Sequence, residues 1–214
     1  MQTGGVTAVI PMKPLELCKL RLAPILDASR RALLTLWMLD RVVEAVLGTH
    51  DLAGAAILGG DVPIRRLAER RGLSWQADAS RGLNRALDLY YETSIANGSA
   101  GMLFLAGDLP ALQADDVSRM LDALDGVDLV LAPGARGGTN AIVVRRDRPF
   151  AFHLGAHSFR RHREQAEARG LKWREFESPA IHADIDLPSD LDWLEREQPD
   201  LWLQAETVSL EYQC

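Results

Sequence analysis

The stretch Met102–Pro110 constrains the fold most strongly, because it has the pattern of a strand covered on both faces. Its sequence is Met-Leu-Phe-Leu-Ala-Gly-Asp-Leu-Pro, with four consecutive apolar residues before the single carboxylate of Asp108. Strands of this kind are typical of parallel sheets flanked by helices. A strand buried on both faces presents a polar side chain only at its end, and open α/β sheets bind ligands beside those carboxyl ends. Asp108 is therefore a candidate functional residue, unless it simply caps the following turn or helix.

Strand and helix patterns alternate along the chain up to Pro133. An apolar stripe beginning near Ser29 predicts the first helix, with Ser29 or Asp27 as its cap and Gly48 as its end. Such alternation predicts parallel strands joined by helical crossovers, in a three-layer α/β/α doubly wound fold. The other elements predicted in this part are strands at Thr7–Pro11, Ala55–Leu58, Leu73–Gln76, Met102–Ala106 and Asp128–Ala132, and helices at Ile64–Arg71, Leu83–Ala96 and Asp115–Leu124.

The alternation relaxes after Pro133. A strand at Asn140–Arg145 directly follows a glycine-rich loop, and the remaining predicted elements are a helix at Ser158–Arg169, a strand at Lys172–Phe176 and a helix at Ser189–Glu195.

The end of the chain carries two expectations. Ser189 and Asp192 have the spacing of a capping box for the last predicted helix. The tail after Gln198 is expected to form either a closing strand or part of a homodimer contact. Because no linker divides the chain, residues 1–214 are expected to form one domain with a mostly parallel sheet.

Composition and charge narrow the function classes. The 214 residues are 47% hydrophobic, and the formal net charge of −6 argues against nucleic acid as the main partner. Cys18 and Cys214 match neither a zinc-ligand spacing nor a disulfide framework, which indicates a reducing compartment. The apolar run Val6–Ile10 is too short for a signal peptide, and nothing approaches the length of a membrane span. We therefore expect a cytoplasmic protein with no membrane partner.

The loop after the first strand is locally basic. Lys13, Lys19 and Arg21 lie in a segment stiffened by Pro14 and Pro24. Lysine supplies a point charge and arginine a planar fork for phosphate oxygens, so this loop suits a polyanion such as a triphosphate. The alternative is an ordinary solvated basic loop.

Glycines mark three further loops. Gly82 precedes a predicted helix and lets a ligand approach the backbone, while the amide of Asn84 can bind a base or a ribose. The loop 134–140, with adjacent glycines and a threonine, forms either an anion-binding concavity or a flexible hairpin. Gly155 and Ser158 begin a helix whose free N–H groups favour a phosphate or carboxylate, or else Ser158 is only an N-cap.

Two carboxylates precede the last predicted helix. Asp184 and Asp186 flank one isoleucine, and alternate residues of an extended segment share a face. They would then point the same way and form a metal clamp with Asp108.

In this order the motifs resemble the 2-phospho-L-lactate guanylyltransferase family, from about Val6 to Leu194. Any one of them is unspecific, and the specificity lies in six of them occurring in one order. They are Pro11-Met-Lys-Pro-Leu with Lys19-Leu-Arg21-Leu-Ala-Pro, Gly82-Leu-Asn84, Gly107-Asp-Leu-Pro110, Gly138-Thr-Asn140-Ala, Gly155-Ala-His-Ser158-Phe and Asp184-Ile-Asp-Leu-Pro188.

The resemblance implies a GT-A-like nucleotidyltransferase fold and a guanylyltransferase activity. GMP would pass from GTP to the phosphate of 2-phospho-L-lactate, phosphoenolpyruvate or 3-phospho-D-glycerate, with release of pyrophosphate, during synthesis of coenzyme F-420. A phosphate monoester is already largely dianionic near neutral pH, so the nucleophile needs no general base. The histidines, among them His153 and His162, are accordingly expected at the surface or in loops, and His157 is the one considered as a contact of the acceptor. The next enzyme of the pathway is a further expected partner.

The resemblance also implies a role for each motif residue. Mg²⁺ would be held by Asp108 and Asp186, with Asp184 as the substitute ligand, and Asp108 would also contact the nucleotide. Charge for catalysis would come from Lys13, Lys19 and Arg21, the first and last of which also bind the triphosphate. The nucleoside would lie against Gly82 and Asn84. The acceptor would be bound by Thr139, Gly155 and Ser158.

One motif departs from the family pattern. The family commonly has Lys-Ser-Arg-Leu in the basic loop, whereas this chain has Lys19-Leu20-Arg21 and so lacks one hydroxyl. Two other classes share some of these features. A molybdenum-cofactor or sugar-phosphate nucleotidyltransferase usually has glycines in its first loop, which this chain lacks. A non-catalytic homologue is expected to have lost the metal carboxylates or the loop cations, which this chain keeps.

Overall fold

The computed structural model describes residues 5–78 and 82–211. These form a mixed seven-stranded sheet in the order β3-β2-β1-β4-β6-β5-β7, flanked by helices. The strands are β1 (Val6–Met12), β2 (Leu52–Gly59), β3 (Ser74–Gln76), β4 (Gly101–Leu105), β5 (Leu129–Pro133), β6 (Thr139–Arg145) and β7 (Trp173–Glu175). The helices are α1 (Ala28–Leu47), α2 (Val62–Arg71), α3 (Leu83–Ala96), α4 (Ala114–Asp122), α5 (Ser158–Ala168), α6 (Pro179–His182), α7 (Pro188–Glu197) and α8 (Pro199–Glu211).

Strand β4 lies at the centre of the sheet, and all five of its residues are buried. It pairs in parallel with β1 on one side and in antiparallel with β6 on the other. Strands β1, β2 and β3 are mutually parallel, as are β5 and β7. Strand β6 therefore interrupts an otherwise parallel sheet, and the predicted three-layer, mostly parallel α/β fold is confirmed.

Two apolar layers cover the sheet. On one face α1, α2, α4 and α6 pack in a single cluster with the strands, and on the other face α3 and α5 do so. A third cluster joins α1 to α7 and α8, with Trp37 and Met38 against Leu194 and Leu201. Since both faces are covered, side chains for chemistry are available at the strand ends.

The glycine-rich loop 134–138 closes an antiparallel hairpin between β5 and β6. Gly134 donates its N–H to the carbonyl of Gly138 (3.0 Å), and Gly137 has a φ of 71°, where glycine is favoured. A Cβ on Gly134 would lie 2.5 Å from Oδ1 of Asn140. The loop is therefore a hairpin turn between two antiparallel strands.

Several local predictions need correction. The tail after Gln198 contains helix α8, which packs on α1, so the closing strand is wrong. Helix α1 is capped by Asp27, whose carboxylate accepts the N–H of Arg30 (2.8 Å), and Ser29 lies inside it. The short helix α6 was not predicted. Within residues 5–78 and 82–211, no helix has the length and hydropathy needed to cross a membrane.

Candidate active site

The carboxyl ends of β1 and β4 border a cavity of about 430 Å³. It is lined by five of the sequence-predicted residues, Lys13, Lys19, Arg21, Asp108 and Asp186. The chain segments that carry them follow β1, follow β4 and precede α7. The structure therefore brings together side chains that are far apart in the sequence, at the sheet edge where parallel α/β folds bind ligands.

Gly107, the residue before Asp108, lies close to the end of β1. A Cβ on Gly107 would lie 2.5 Å from Sδ of Met12, the last residue of β1. The main chain of Asp108 then accepts an N–H from Ile185 (3.3 Å), which attaches the segment carrying Asp186. Helix α4 begins only at Ala114 and is capped by Gln113, so the alternative role of Asp108 as a helix cap is wrong.

Lys19 is the central cation of this cavity. Its ammonium forms an ion pair with Oδ2 of Asp108 and lies 3.5 Å from Oδ1 of Asp186. Its side chain is only 7% exposed, so the prediction of a solvated basic loop is wrong for this residue. Burial by itself lowers the pKa of Lys19, but the attraction and hydrogen bond of Asp108, with smaller contributions from Asp186 and Asp184, raise the pKa above its ordinary value. The lysine therefore stays charged.

The main chain around Lys19 explains how the ammonium reaches the carboxylates. Two 3₁₀ turns, Leu15–Leu17 and Leu20–Leu22, enclose it, and its φ of 51° lies in the left-handed region. Upstream, the N–H of Leu15 donates to Oδ2 of Asp61, which follows β2 (2.8 Å). A non-glycine residue in this conformation carries strain that the surrounding contacts must offset.

The other two cations of the loop are exposed. Arg21 donates from Nη1 to Oδ2 of Asp186 (2.8 Å), but 65% of its side chain is exposed, so this ion pair contributes little stability. Lys13 is also exposed. Both remain accessible to an anion in the cavity. Cys18 lies between these two residues in the sequence. Burial raises the pKa of its thiol, although Lys19 and Lys13 act to lower it. Cys214 lies outside the described residues.

Asp184 and Asp186 bind different partners. The carboxylate of Asp184 pairs with Arg136 and accepts from Nδ2 of Asn140 (3.0 Å), whereas that of Asp186 faces Lys19 and Arg21. In the part of the chain that the structure describes, no three His, Cys, Asp or Glu residues are grouped as metal ligands. The predicted clamp of three carboxylates is therefore wrong, and the pair formed by Asp108 and Asp186 remains.

Asp190 holds the main chain that carries Asp186. Its Oδ2 accepts the N–H groups of Asp186 (2.7 Å) and Leu187 (2.8 Å), and both of its oxygens accept from Nη1 of Arg136. Burial acts to lower the pKa of Arg136, but Asp184, Asp190 and Asp186 raise it. The predicted capping box of Ser189 and Asp192 is wrong, because the helix begins one residue earlier and the capping carboxylate belongs to Asp190.

We expect the substitution Asp190→Ala to lower the free energy of unfolding by about 1–3 kcal/mol, because two N–H groups lose their acceptor and Arg136 loses one of its two carboxylate partners. Urea denaturation of the two proteins at neutral pH measures the difference. Asp192→Ala, an exposed position on the same helix, is the control and should change stability by less than about 0.5 kcal/mol. Equal effects of both substitutions would contradict this role of Asp190.

Asn84 connects the two predicted substrate regions. Its Oδ1 accepts the N–H of Leu154 (2.7 Å), and its Nδ2 donates to the carbonyl of the same residue (3.4 Å). Gly82, just before it, has a φ of 135°, which favours glycine. The amide predicted to bind the nucleoside thus also fixes the loop that leads to Gly155.

The predicted acceptor residues lie at the neighbouring strand end. The N–H of Ala106 donates to the carbonyl of Asn140 (2.8 Å), which continues the β4–β6 register and puts Thr139 beside the loop of Asp108. Oγ of Ser158 is 3.0 Å from Oγ1 of Thr139, and both residues are buried. The N-cap of α5 is His157, an exposed residue, so the alternative role of Ser158 as N-cap is wrong. Gly155 has a φ of 118° and is exposed.

His162 is a component that sequence reasoning missed. It was expected at the surface, but it is fully buried, with Nδ1 3.0 Å from Oγ1 of Thr139. Its spacing of four residues from Ser158 puts both on one face of the helix, and that spacing was the available signal. Burial, with repulsion from His153 and Arg161, lowers the pKa of His162 to about 3.

This pKa predicts a pH dependence of stability. Below the ordinary histidine pKa of 6.5 the unfolded chain binds a proton that the folded chain rejects, so folding stability is lost as pH falls from about 6.5 toward 3, by at most about 1.4 kcal/mol per pH unit. Urea denaturation from pH 7 to pH 4 should show a smaller loss for His162→Asn than for the unsubstituted protein. Parallel pH profiles would contradict the assignment.

The strand order and the flanking helices are those of the nucleotidyltransferase-like α/β fold. A Desulfovibrio desulfuricans protein described as a nucleotide-diphospho-sugar transferase has the same fold, with a TM-score of 0.77, 16% identity and coverage of 97% of both chains. A Mycobacterium tuberculosis protein solved in complex with manganese aligns with a TM-score of 0.54, 15% identity and coverage of 90% of this chain and 98% of its own.

Sequence similarity identifies the family. Residues 6–195 match the family described as guanylyl transferase CofC like, and the chain belongs to it. A phosphoenolpyruvate guanylyltransferase of Rubrobacter xylanophilus is 36% identical over 193 residues, covering 89% of this chain and 94% of the relative. A 3-phospho-D-glycerate guanylyltransferase of Phenylobacterium zucineum is 37% identical over 180 residues, covering 80% and 81%. The resemblance seen in the motifs is therefore confirmed, and the family decides against the molybdenum-cofactor and non-catalytic alternatives.

Proposed function

We propose that this protein is a guanylyltransferase that transfers GMP from GTP to the phosphate of a small phosphorylated three-carbon acid, in the synthesis of coenzyme F-420. The observation that carries the proposal is the convergence of Asp108, Asp186 and the buried Lys19 on one cavity in a chain of this family. The names of the relatives support phosphoenolpyruvate and 3-phospho-D-glycerate as acceptors, with 2-phospho-L-lactate as the third candidate.

In the proposed reaction a phosphate oxygen of the acid attacks the α-phosphorus of GTP. One P–O bond forms, the bond between the α-phosphorus and the bridging oxygen breaks, and pyrophosphate leaves with that electron pair. Because the attacking phosphate is already largely dianionic, no side chain has to remove a proton. The task of the protein is to align the two anions and to neutralise their charge, for which Lys13, Lys19 and Arg21 are the proposed cations.

The carboxylates of Asp108 and Asp186 are suitable ligands for a divalent cation. One oxygen of Asp108 and one of Asp186 already face a single positive charge, the ammonium of Lys19. Mg²⁺ is usually bound by one or two carboxylates together with substrate phosphates, so two protein carboxylates suffice. The manganese complex of a protein with this fold supports divalent metal use. We propose that Asp108 and Asp186 hold Mg²⁺, which would neutralise charge on the transferring phosphoryl group.

Each substrate is assigned to one of the two predicted substrate regions. Gly82 and Asn84 are proposed to bind the nucleoside of GTP, while Lys13, Arg21 and Asp108 contact its phosphates, the last through the metal. Thr139, Gly155 and Ser158 are proposed to bind the acid, supported by the position of Thr139 beside the loop of Asp108 and by the hydrogen bond from Ser158 to Thr139. A cytoplasmic location, a homodimer and contact with the next enzyme remain predictions.

A pyrophosphate-release assay tests the function. The protein is incubated with GTP, Mg²⁺ and each of the three acids in turn. Release with at least one acid is expected, and the acid that supports it identifies the acceptor. Replacement of GTP by ATP or CTP is the control for the base, and omission of the acid is the control for GTP hydrolysis. No release above these controls with any acid would overturn the proposal.

A further inference from the structure

The proposed reaction gives His162 no task, yet its ring is fully buried in the second turn of α5. Burying a polar ring in this way is costly unless both nitrogens have partners. Nδ1 lies 3.0 Å from Oγ1 of Thr139, and the N–H of His153 points at Nε2 from 2.9 Å. Both nitrogens are therefore satisfied, in an arrangement that fixes the position of the ring proton.

The contact with His153 determines the tautomer. A main-chain N–H can only donate, so Nε2 of His162 has to accept and carries no proton. The neutral ring then has its proton on Nδ1, which donates to Oγ1 of Thr139. The groups around the ring agree with neutrality, because burial, His153 and Arg161 all disfavour the cation.

Because Nδ1 of His162 is the donor in this hydrogen bond, it determines which hydrogen bonds the hydroxyls of Thr139 and Ser158 can make. Ser158 and Thr139 bring two hydroxyl protons, and the 3.0 Å hydrogen bond between them uses one. The second cannot go to His162, because Nδ1 is itself a donor. Within the described residues no further acceptor contacts these two oxygens, so one hydroxyl proton remains for a ligand.

We propose that His162 is a positioning residue that makes the Thr139–Ser158 hydroxyl pair a hydrogen-bond donor toward an oxyanion of the phosphorylated acid. The proposal rests on the proposed function, since the pair is its acceptor site. Phosphate and carboxylate oxygens only accept hydrogen bonds, so a pair presenting a lone pair would repel them. Both hydroxyls are buried, which strengthens the hydrogen bond they can offer.

Two variants distinguish the roles of the two ring nitrogens of His162. The amide nitrogen of Asn lies close to the position of Nδ1, so His162→Asn keeps a donor toward Thr139. The amide of Gln reaches the position of Nε2, so His162→Gln keeps the acceptor for His153 and leaves Thr139 without its donor. For His162→Gln we expect the KM of the acid to rise about tenfold or more, with the KM of GTP nearly unchanged. His162→Asn should retain most of the affinity for the acid. His50→Gln, at an exposed turn after α1, is the control.

A measurement without turnover keeps this inference distinct from the proposed function. Nitrogen-15 NMR of the whole protein reports which ring nitrogen of His162 carries the proton, and Nδ1–H is expected. The same spectra followed during titration with each of the three candidate acids, with pyruvate and with inorganic phosphate show whether the phosphate, the carboxylate or both bind the pair. A protonated Nε2, equal acid KM values in the Gln and Asn variants, or no binding by any of these ligands would overturn the inference. A wild-type protein that binds acid but releases no pyrophosphate would overturn the proposed function alone.

Discussion

Asp108→Asn is expected to reduce the rate of pyrophosphate release by at least about 100-fold, because the stabilisation that a metal provides to a transferring phosphoryl group amounts to several kcal/mol. The amide keeps the size of the side chain but loses the charge that faces Lys19 and the proposed metal. Initial rates at saturating GTP and acid, over a range of Mg²⁺ concentrations, measure the loss and any shift in metal requirement.

The control for this variant is Asp115→Asn, which makes the same change at a side chain that is 81% exposed on α4. Circular dichroism and thermal unfolding establish that both variants fold. Because Asp108 is partly exposed and Asp186 stays near the ammonium, the Asn variant should remain folded. An Asp108→Asn protein with nearly wild-type turnover would remove the metal role from this residue.

Lys19→Met is expected to have the second largest effect, on activity and on stability together. The substitution leaves two carboxylates facing each other without the cation between them. Removing one member of a buried ion pair costs about 3–5 kcal/mol, but Asp108 and Asp186 keep 27% and 30% exposure, so we expect about 1–3 kcal/mol. Turnover should fall at least about tenfold, because one of the proposed phosphate-binding charges is lost.

A second measurement distinguishes this loss from general damage. Without the ammonium, the two carboxylates should bind a divalent cation more readily, so added Mg²⁺ should raise the melting temperature of Lys19→Met more than that of the wild type. Lys172→Met, at an exposed lysine beside β7, should show neither effect. A melting temperature of Lys19→Met that does not rise with Mg²⁺ would contradict the inference that the lysine and the metal share these carboxylates.

The central part of the fold could be predicted from local patterns. The apolar run before Asp108 predicts a buried strand, and the apolar spacing from Ser29 predicts a helix that packs on the sheet, because both patterns depend on burial alone. Strand β6 was recognised as a strand, but its antiparallel direction depends on the hairpin at Gly134–Gly138, and a glycine-rich loop fits several connections. Helix α8 was missed because its packing surface on α1 is a tertiary property.

The candidate site, too, could be predicted from the sequence only in part. Asp108 and Asp186 were found from their positions at the ends of elements and from the resemblance. The burial of Lys19 could not be found in this way, since a lysine between prolines in a polar loop has the pattern of an exposed residue. The roles of Asp190 and His162 were not predicted, for a related reason. Asp190 matters because it accepts the N–H of Asp186, and His162 because it accepts the N–H of His153 beside Thr139. No local sequence pattern shows which main chain will lie beside a side chain.

The hydrogen bond from Ile185 to the main chain of Asp108 bears on how the protein is made. The loop cations and Asp108 leave the ribosome before Asp186 and Asp190 do. Domains begin to fold while synthesis continues, and contacts between distant residues form slowly. A nascent or truncated chain that ends before Asp184 carries all seven strands of the sheet but lacks Asp186 and Asp190, so that activity would arise only after these two residues have been made.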